Sequence, residues 1–303
     1  MRLCLCGLCA AVAVTAGGVS VAAESAEVAT PSHGEPIVPG WLSGVWQREW
    51  IEERGLRSST LDVHYLQTPS FFGDVRIPRD RPHLSHASSF ADLSDQELHA
   101  LAQQRGFAGR TTLLGTTATW HHQIDFQPPD GAEDTGRLDL LPGRRLHENG
   151  LDGSYIESWK SATDGDGRFL VIQTERGGRP QRLLLVVGDY FVFVRNRIRD
   201  LPSAASLDSL IASTHPSRAQ IIAYLDCDFS FGRVRGGPMV WEIQRSTLPW
   251  REGHRLEFVD ELKVVTEGNR VLPRTPGSER WAVPINTLSD SELLEIFSDR
   301  SGL

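Results

Sequence analysis

The sequence contains very little cysteine. Only four of its 303 residues are cysteine, and Cys4, Cys6 and Cys9 all lie at the N-terminus. If that stretch is removed on export, Cys227 remains alone, and neither an intramolecular disulfide nor a cysteine-based zinc site can form in the mature chain. Cys227 lies in the strand-like run IIAYLDCDFSF, where we expect a buried and unreactive thiol.

The chain also lacks a basic cluster and, beyond its N-terminus, a long apolar run. Its formal net charge is −8 and its Lys and Arg residues are scattered, which argues against nucleic acid and anionic membrane surfaces as partners. No later segment reaches the roughly 18 uninterrupted apolar residues of a membrane span, so no transmembrane span is predicted. Motifs for nucleophilic catalysis, phosphate binding and dinucleotide binding are absent, and we therefore predict no catalytic residue, no metal and no cofactor.

The N-terminus has the features of a secretory signal. Met1-Arg2 gives a short basic start, an apolar run follows from Leu3 to Val14, and Val21-Ala22-Ala23 forms a small-residue cleavage site. We predict a signal peptide over 1–23, cut after Ala23, and a periplasmic or secreted protein. Leu8 stands before Cys9 where a lipoprotein signal has a small residue, which argues against a lipid anchor. The polar, proline-containing stretch 24–40 is predicted to be a disordered leader.

The remaining chain reads as many short strands separated by turns. LSGVWQREWIEE, TLDVHYLQT and FFGDVRIP alternate in polarity, and Asp164-Gly165-Asp166-Gly167 is a strong tight-turn signal between two later strands. Ser94-Asp95-Gln96-Glu97 forms a capping box and predicts one short inserted helix, expected to cover a barrel end. LSDSELLEIF, capped at Ser289 and Glu292, predicts a C-terminal helix. The expected fold is all-β, with two antiparallel β-barrels in tandem, the first over 41–200 and a second, smaller one over 201–303.

Several strands carry ionisable side chains where a half-buried strand is usually apolar. In ATWHHQIDF, strand alternation places Trp120, His122, Ile124 and Phe126 on one face, and this more apolar face is expected to point into the barrel. His122 would then be an interior imidazole, either a hydrogen-bonded core residue or part of a site. His121 and Asp125 are too far apart on their strand to bind one metal ion together.

Charged and aromatic residues of other strands point to the same interior. Buried charge persists only when paired, so Arg48 and Arg76 are expected to pair with Glu157 or Asp125. This network would close the barrel or grip an anionic ligand against an aromatic wall. The candidate ligand-binding residues are Trp46, Arg48, Trp50, Arg76, His122, Tyr155 and Glu157.

Two sets of motifs carry a resemblance to known families. Gly44-Val45-Trp46 resembles the Gly-x-Trp opening of lipocalins, whose Trp packs at the base of an eight-stranded barrel. VWQREWIE, YLQTPSFFGDVRIP, TWHHQIDFQPP, DTGRL and YIESW, in this order, resemble an uncharacterised group of bacterial proteins. They also look distantly like a fungal family of two lipocalin-like barrels in tandem, which has no assigned activity. The resemblance implies a fold of two lipocalin-like barrels and leaves the chemistry open.

Three functions remain open at this point. The first is an exported binder that holds a small, partly apolar or anionic ligand inside the first barrel. The second is an enzyme that uses His122 and Glu157 as an internal acid–base pair. The third is a non-catalytic envelope adaptor with filled barrels, which would recognise another protein through its loops. The sequence makes no prediction of oligomeric state.

Overall fold

The computed structural model describes residues 37–237, 239–265, 270–274 and 277–297. The predicted signal peptide, 1–23, and residues 24–36 of the predicted leader lie outside this range. The chain contacts the folded core from Val38 onward, because the Val38 side chain is buried and its N–H donates to the Pro69 carbonyl at 2.8 Å.

The first sheet closes into an antiparallel barrel. Between residues 37 and 237 its strands are β1 (Gly44–Glu53), β2 (Leu56–Ser58), β3 (Leu61–Gln67), β4 (Phe71–Pro78), β5 (Arg105–Leu114), β6 (Thr117–Asp125), β7 (Asp134–Leu141), β8 (Arg145–Gly150) and β9 (Tyr155–Thr163). Each pairs with its neighbour in the chain, except that β2 is a short flap on β1. β1 pairs with both β3 and β9, so eight strands form a closed ring without a free edge.

The second sheet remains open. The following strands are β10 (Phe169–Arg176), β11 (Arg179–Val187), β12 (Tyr190–Arg195), β13 (Asp228–Arg233), β14 (Glu242–Ser246), β15 (Leu262–Val265), β16 (Arg270–Pro273) and β17 (Arg280–Asn286). Six of them form a sheet in the order β14-β13-β12-β11-β10-β17, and β15 and β16 make a separate hairpin. Within the described residues β14 and β17 do not pair with each other, so the predicted second barrel is not what the structure shows.

Helices replace some of the predicted strands. The described residues contain α1 (Asp95–Leu101), α2 (Leu207–Thr214), α3 (Arg218–Leu225) and α4 (Asp290–Phe297), so the protein is mostly β rather than all-β. The predicted capping boxes at Ser94 and Ser289 are confirmed. The prediction of a strand over α3 was wrong: Ser217 and Gln220 cap a helix there, and the adjacent isoleucines of this segment had suggested a strand. No described helix combines the length and apolar character that crossing a membrane requires.

A helix covers one face of the second sheet, so this sheet buries its apolar residues without closing into a barrel. A cluster containing Trp241, Leu293 and Ile296 is fully buried on one face of this sheet, and Trp241 donates from its indole to the Ile296 carbonyl at 2.6 Å. α4 therefore buries the apolar face that barrel closure would otherwise have to protect from water.

The barrel and the second sheet share one apolar core. Outward-facing residues of the barrel, such as Val75 and Ile124, pack with Leu185 and Val192 of the second sheet. α1 joins this shared core through Leu98 and Leu101, so it lies against the outside of the barrel instead of covering its end. The buried Arg197 donates to the carbonyls of Asp125 and Phe126 at 2.7 and 2.6 Å and fastens the connecting segment to the barrel.

Close approach of the two sheets requires glycine on the barrel wall. A Cβ atom at Gly106 would lie 2.7 Å from Cγ of the buried Phe229, and one at Gly73 would lie 2.8 Å from Val192. Any side chain at either position would push the second sheet away from the barrel.

We predict that Gly106→Ala destabilises the protein by about 1–3 kcal/mol, because overpacking forces the Phe229 ring out of its place. Gly40→Ala is the matched control, since a Cβ atom at Gly40 meets nothing within 4 Å. The free energy of unfolding of both variants is measured by urea denaturation. Equal stability of the two variants would contradict the close approach described here.

Candidate functional site

Aromatic side chains fill one part of the barrel interior. Trp46, Tyr65, Trp120 and Trp159 are buried in a cluster with Phe72 and Leu138. Three of the four use their polar atoms within the protein: the Trp46 indole donates to the Leu42 carbonyl at 2.8 Å, and the Trp120 indole donates to the Tyr65 hydroxyl at 3.0 Å. The placement of Trp46 inside the barrel agrees with its prediction as an interior residue.

A network of buried ion pairs occupies the other part. Arg48 on β1 pairs with Glu157 on β9, and Arg76 on β4 lies 3.4 Å from the same carboxylate. Arg76 also binds Asp74 through two N–H groups, at 2.9 and 3.1 Å. Of the two carboxylates predicted as partners, Glu157 pairs with both arginines, whereas Asp125 pairs with His122. Asp74 was not predicted, although its position two residues before Arg76 places both on the same face of one strand.

Glu148 is a second interior carboxyl that the sequence reasoning missed. It lies directly across from Glu157 in the pairing of β8 with β9 and accepts a hydrogen bond of 2.9 Å from the Tyr155 hydroxyl. Burial, together with the nearby charges of Glu157 and Asp134, raises the pKa of the Glu148 carboxyl to about 8. Tyr155 thus enters the interior as predicted, but as the hydrogen-bond donor to a carboxyl.

His122 is held by two carboxylates at the rim of this interior. Its Nδ1 lies 2.6 Å from Asp125 and its Nε2 lies 2.9 Å from Asp134, while its ring stacks on Phe107 with centroids 4.7 Å apart. Burial alone would lower the pKa of His122, but the hydrogen bonds to both carboxylates outweigh it and raise the pKa to about 9. At neutral pH the imidazole is therefore a charged donor and does not act as a base.

An extra residue in β6 divides the face predicted to point inward. Gly109 pairs with His122 and Ala108 pairs with Ile124, so Gln123 is left without an opposite residue. Trp120 belongs to the interior cluster, whereas Ile124 and Phe126 belong to the core shared with the second sheet. The prediction that Ile124 and Phe126 share the inner face with His122 was wrong, because this bulge reverses the alternation.

A similar irregularity separates Trp50 from the other predicted site residues. The pairing of β1 with β9 shifts between Arg48 and Trp50. Trp50 contacts His147 edge to face, with centroids 5.5 Å apart, and lies under the Arg57 guanidinium at 3.8 Å. The structure therefore brings together six of the seven candidates and leaves Trp50 outside the cluster.

The space left inside the barrel is very small. The cavity bounded by Trp46, Trp159, Arg76 and Glu148 has a volume of about 20 Å³, enough for one water molecule. Among the described residues Trp159 Nε1 and Glu157 Oε2 are buried without a hydrogen-bond partner. A water molecule in this cavity would satisfy the Trp159 donor, but an organic ligand would not fit without displacing side chains.

A larger depression lies between the barrel and the second sheet. It has two lobes, with volumes of about 550 Å³ and about 710 Å³, and both are bounded by Asp62 and Arg79 of the barrel side and by Arg245 and Glu252 of the second sheet side. We call this depression the interface cleft. Its size is typical of sites for small molecules, and none of its residues was predicted as a candidate.

The fold and interior define the protein as a closed eight-stranded antiparallel barrel, with a filled polar core, joined to an open sheet. No protein-family model matches the chain, and no curated protein matches it in sequence. The crystal structure of the uncharacterised protein YLR301w from Saccharomyces cerevisiae is similar to it, with 12% identity and a TM-score of 0.49 over 80% of this chain and 98% of that one. The resemblance to a bacterial family stays a prediction, and the second barrel of the expected tandem is not shown, because the second sheet is open.

We predict that Arg48→Met destabilises the protein by about 3–5 kcal/mol, because it leaves the buried Glu157 carboxylate with a weaker partner. Arg137→Met is the matched control: Arg137 is 57% exposed and lies 3.6 Å from Asp139 on the same barrel, so its loss should cost less than about 1 kcal/mol. Denaturant unfolding of the two variants measures the difference. If Arg48→Met loses no more stability than Arg137→Met, the ion pair of Arg48 with Glu157 is not shielded from water.

Glu148 should make the protein less stable as pH rises. Its pKa of about 8 in the fold lies above the ordinary value near 4.3, so the folded state binds the extra proton. Its contribution is complete below about pH 4.3 and is lost as pH rises through about 8, at up to roughly 1.4 kcal/mol per pH unit. Glu148→Gln, which resembles the protonated carboxyl, should flatten the stability profile between these limits, whereas Glu133→Gln at an exposed position should not. An unchanged profile for Glu148→Gln would contradict the raised pKa.

Proposed function

We propose that this protein is a non-catalytic binding protein, that the filled barrel is its rigid support, and that a small molecule binds in the interface cleft. The observation that carries the proposal is the contrast in free volume, about 20 Å³ inside the barrel against about 550 and 710 Å³ in the two lobes of the cleft. The ligand expected inside the first barrel is thereby reassigned to the surface that the barrel forms with the second sheet.

The pairing of the interior groups supports binding over catalysis. A general acid or base must reach its substrate within hydrogen-bond distance, but both ring nitrogens of His122 are occupied by carboxylates. Glu157 is bound by Arg48 and Arg76, and the interior has no room for a substrate. The alternative of an internal His122 and Glu157 acid–base pair therefore has no geometric support.

The adaptor alternative also predicts a filled barrel, so the cleft is what distinguishes an adaptor from a binder of small molecules. An adaptor that binds through barrel loops needs no concave site, whereas a binder of small molecules needs one of about 300–1,000 Å³. Both lobes lie in that range. We also propose that the protein is exported, on the basic and apolar pattern of residues 1–23, and that its barrel is lipocalin-like.

Native mass spectrometry of the protein purified from its own host tests the binding proposal. We expect an additional small-molecule mass on the wild-type protein, because the cleft is open and of suitable size. Ser85→Trp, which places an indole on the wall of the first lobe, should remove that mass. Ser154→Trp, at an exposed bend that lines neither lobe of the cleft, is the control and should retain it. A mass retained in Ser85→Trp, or a bare wild-type protein, would contradict the proposal.

A further inference from the structure

One carboxylate in the interface cleft is shared by three basic side chains. Arg245 donates from Nε to Asp62 at 2.8 Å, Arg79 lies 3.6 Å from the same carboxylate, and His64 lies 3.4 Å from it. The hydrogen bond with His64 and the interaction with Arg245 hold the pKa of Asp62 well below its usual range. Asp62 is therefore ionised, and it compensates only one of the two arginine charges beside it.

The other carboxylate shared by both lobes is already used. Glu252 accepts hydrogen bonds from Arg81 at 2.8 Å and from the Ser246 N–H at 2.9 Å. The first lobe therefore presents three arginines against two carboxylates. In a chain with a formal net charge of −8, this local excess of positive charge distinguishes the first lobe from the average surface, whereas the second lobe adds the carboxylate of Glu242.

The guanidinium groups of Arg79 and Arg245 face open space. The side chains of Arg79 and Arg245 are 51% and 46% exposed. Arg79 donates from Nε to the Ser59 carbonyl at 2.9 Å, and Arg245 donates from Nη1 to the Gln244 carbonyl. These bonds orient both groups, and within the described part of the chain the Nη1 of Arg79 and the Nη2 of Arg245 have no hydrogen-bond acceptor. They are positioned donors for an oxyanion.

Apolar side chains lie beside this charged pair. Trp250 lines the first lobe together with Ile77 and Leu84. The Trp250 ring is fixed by an edge-to-face contact with Phe90, at a centroid distance of 4.8 Å. Ile77 and Leu84 are only 3% and 4% exposed, so the half-buried indole of Trp250 supplies most of the surface for an apolar ring or short chain.

We propose that the interface cleft binds a small organic carboxylate, with its charged group between Arg79 and Arg245 and its apolar part against Trp250. This inference rests on the proposed function and names the ligand class of the same site. Two oriented guanidinium groups bind a carboxylate through charge-assisted hydrogen bonds, whereas an amine of the same size would meet like charge at the same position. The cleft therefore discriminates by the sign of the ligand's charge.

Saturation-transfer NMR and calorimetry with three probes of equal size test the inference on the full chain. Benzoate, benzyl alcohol and benzylamine carry a negative, a neutral and a positive group on the same ring. We expect benzoate to bind most tightly. The double variant Arg79→Gln/Arg245→Gln should weaken benzoate binding by about tenfold or more, because a hydrogen bond to a charged group contributes over 1.4 kcal/mol. Arg137→Gln, outside the cleft, should leave it unchanged.

Each outcome separates the ligand class from the proposed function. Benzyl alcohol or benzylamine binding as tightly as benzoate, and lost in Ser85→Trp, would keep the cleft as a binding site and overturn the carboxylate. If the double variant still binds benzoate, the carboxylate site is overturned. If Ser85→Trp also still binds benzoate, both the carboxylate site and the cleft as a binding site are overturned. If no probe binds the wild-type protein, both proposals are contradicted. Arg79→Gln alone keeps the bond of Arg245 to Asp62, so this variant should show a smaller loss of benzoate affinity than the double variant. It provides the test if the double variant does not fold.

Discussion

The buried pairing of Arg48 and Arg76 with Glu157 and Asp74 is the constraint on which the barrel depends. Removing four charged groups from water is costly, and only their mutual contacts offset that cost. Arg48 lies on β1 and Glu157 on β9, the two strands that meet where the ring closes. Their charges are compensated only when β1 and β9 pair in this register. The network therefore favours one closed arrangement over the slipped or open alternatives available to a short-stranded sheet.

The same network decides what the interior can do. Each carboxylate inside the barrel requires a donor nearby, and those donors are bulky: two arginines, a tyrosine and, at the rim, a histidine. Together with three indole rings they occupy almost all of the volume that an eight-stranded barrel encloses. A polar barrel interior is often interpreted as a binding site, but here most of the polar side chains bind one another. The titratable groups predicted as site residues are therefore bonded to one another, and the larger free volume lies outside the barrel.

Local patterns in the sequence predicted what depends on short spacing. Strand alternation predicted the first barrel, the serine caps marked α1 and α4, and the rule that buried charges pair named Glu157 as one of two expected partners of the arginines. Two extra residues, one in β6 and one in β1, interrupt the same alternation. Gln123 sends Ile124 to the outer face, and the shift after Arg48 separates Trp50 from the interior. A bulge depends on the opposite strand as well as on its own, so a single strand's pattern does not reveal it.

Predictions that required long-range geometry were less complete. Glu148 and Asp134 were missed because their positions depend on the strands across the barrel. The second barrel was expected because its segments looked like strands and because the resembling fungal family has two barrels. In the structure α4 covers the face that a barrel would have closed. The residues of the interface cleft, from Asp62 to Arg245, are distant in sequence and share no motif. Nothing but the relative position of two sheets brings them together.

The openness of the second sheet explains why the cleft exists. The barrel wall is convex, and the second sheet follows it only where Gly73 and Gly106 allow the backbones to approach. A closed barrel and a twisted open sheet have different curvatures, so their surfaces diverge away from that contact. Where they diverge, apolar packing ends and polar side chains from both sheets face each other across a gap. Arg245 bonds to Asp62 and Arg81 bonds to Glu252 across that gap, and the space beside these contacts stays open.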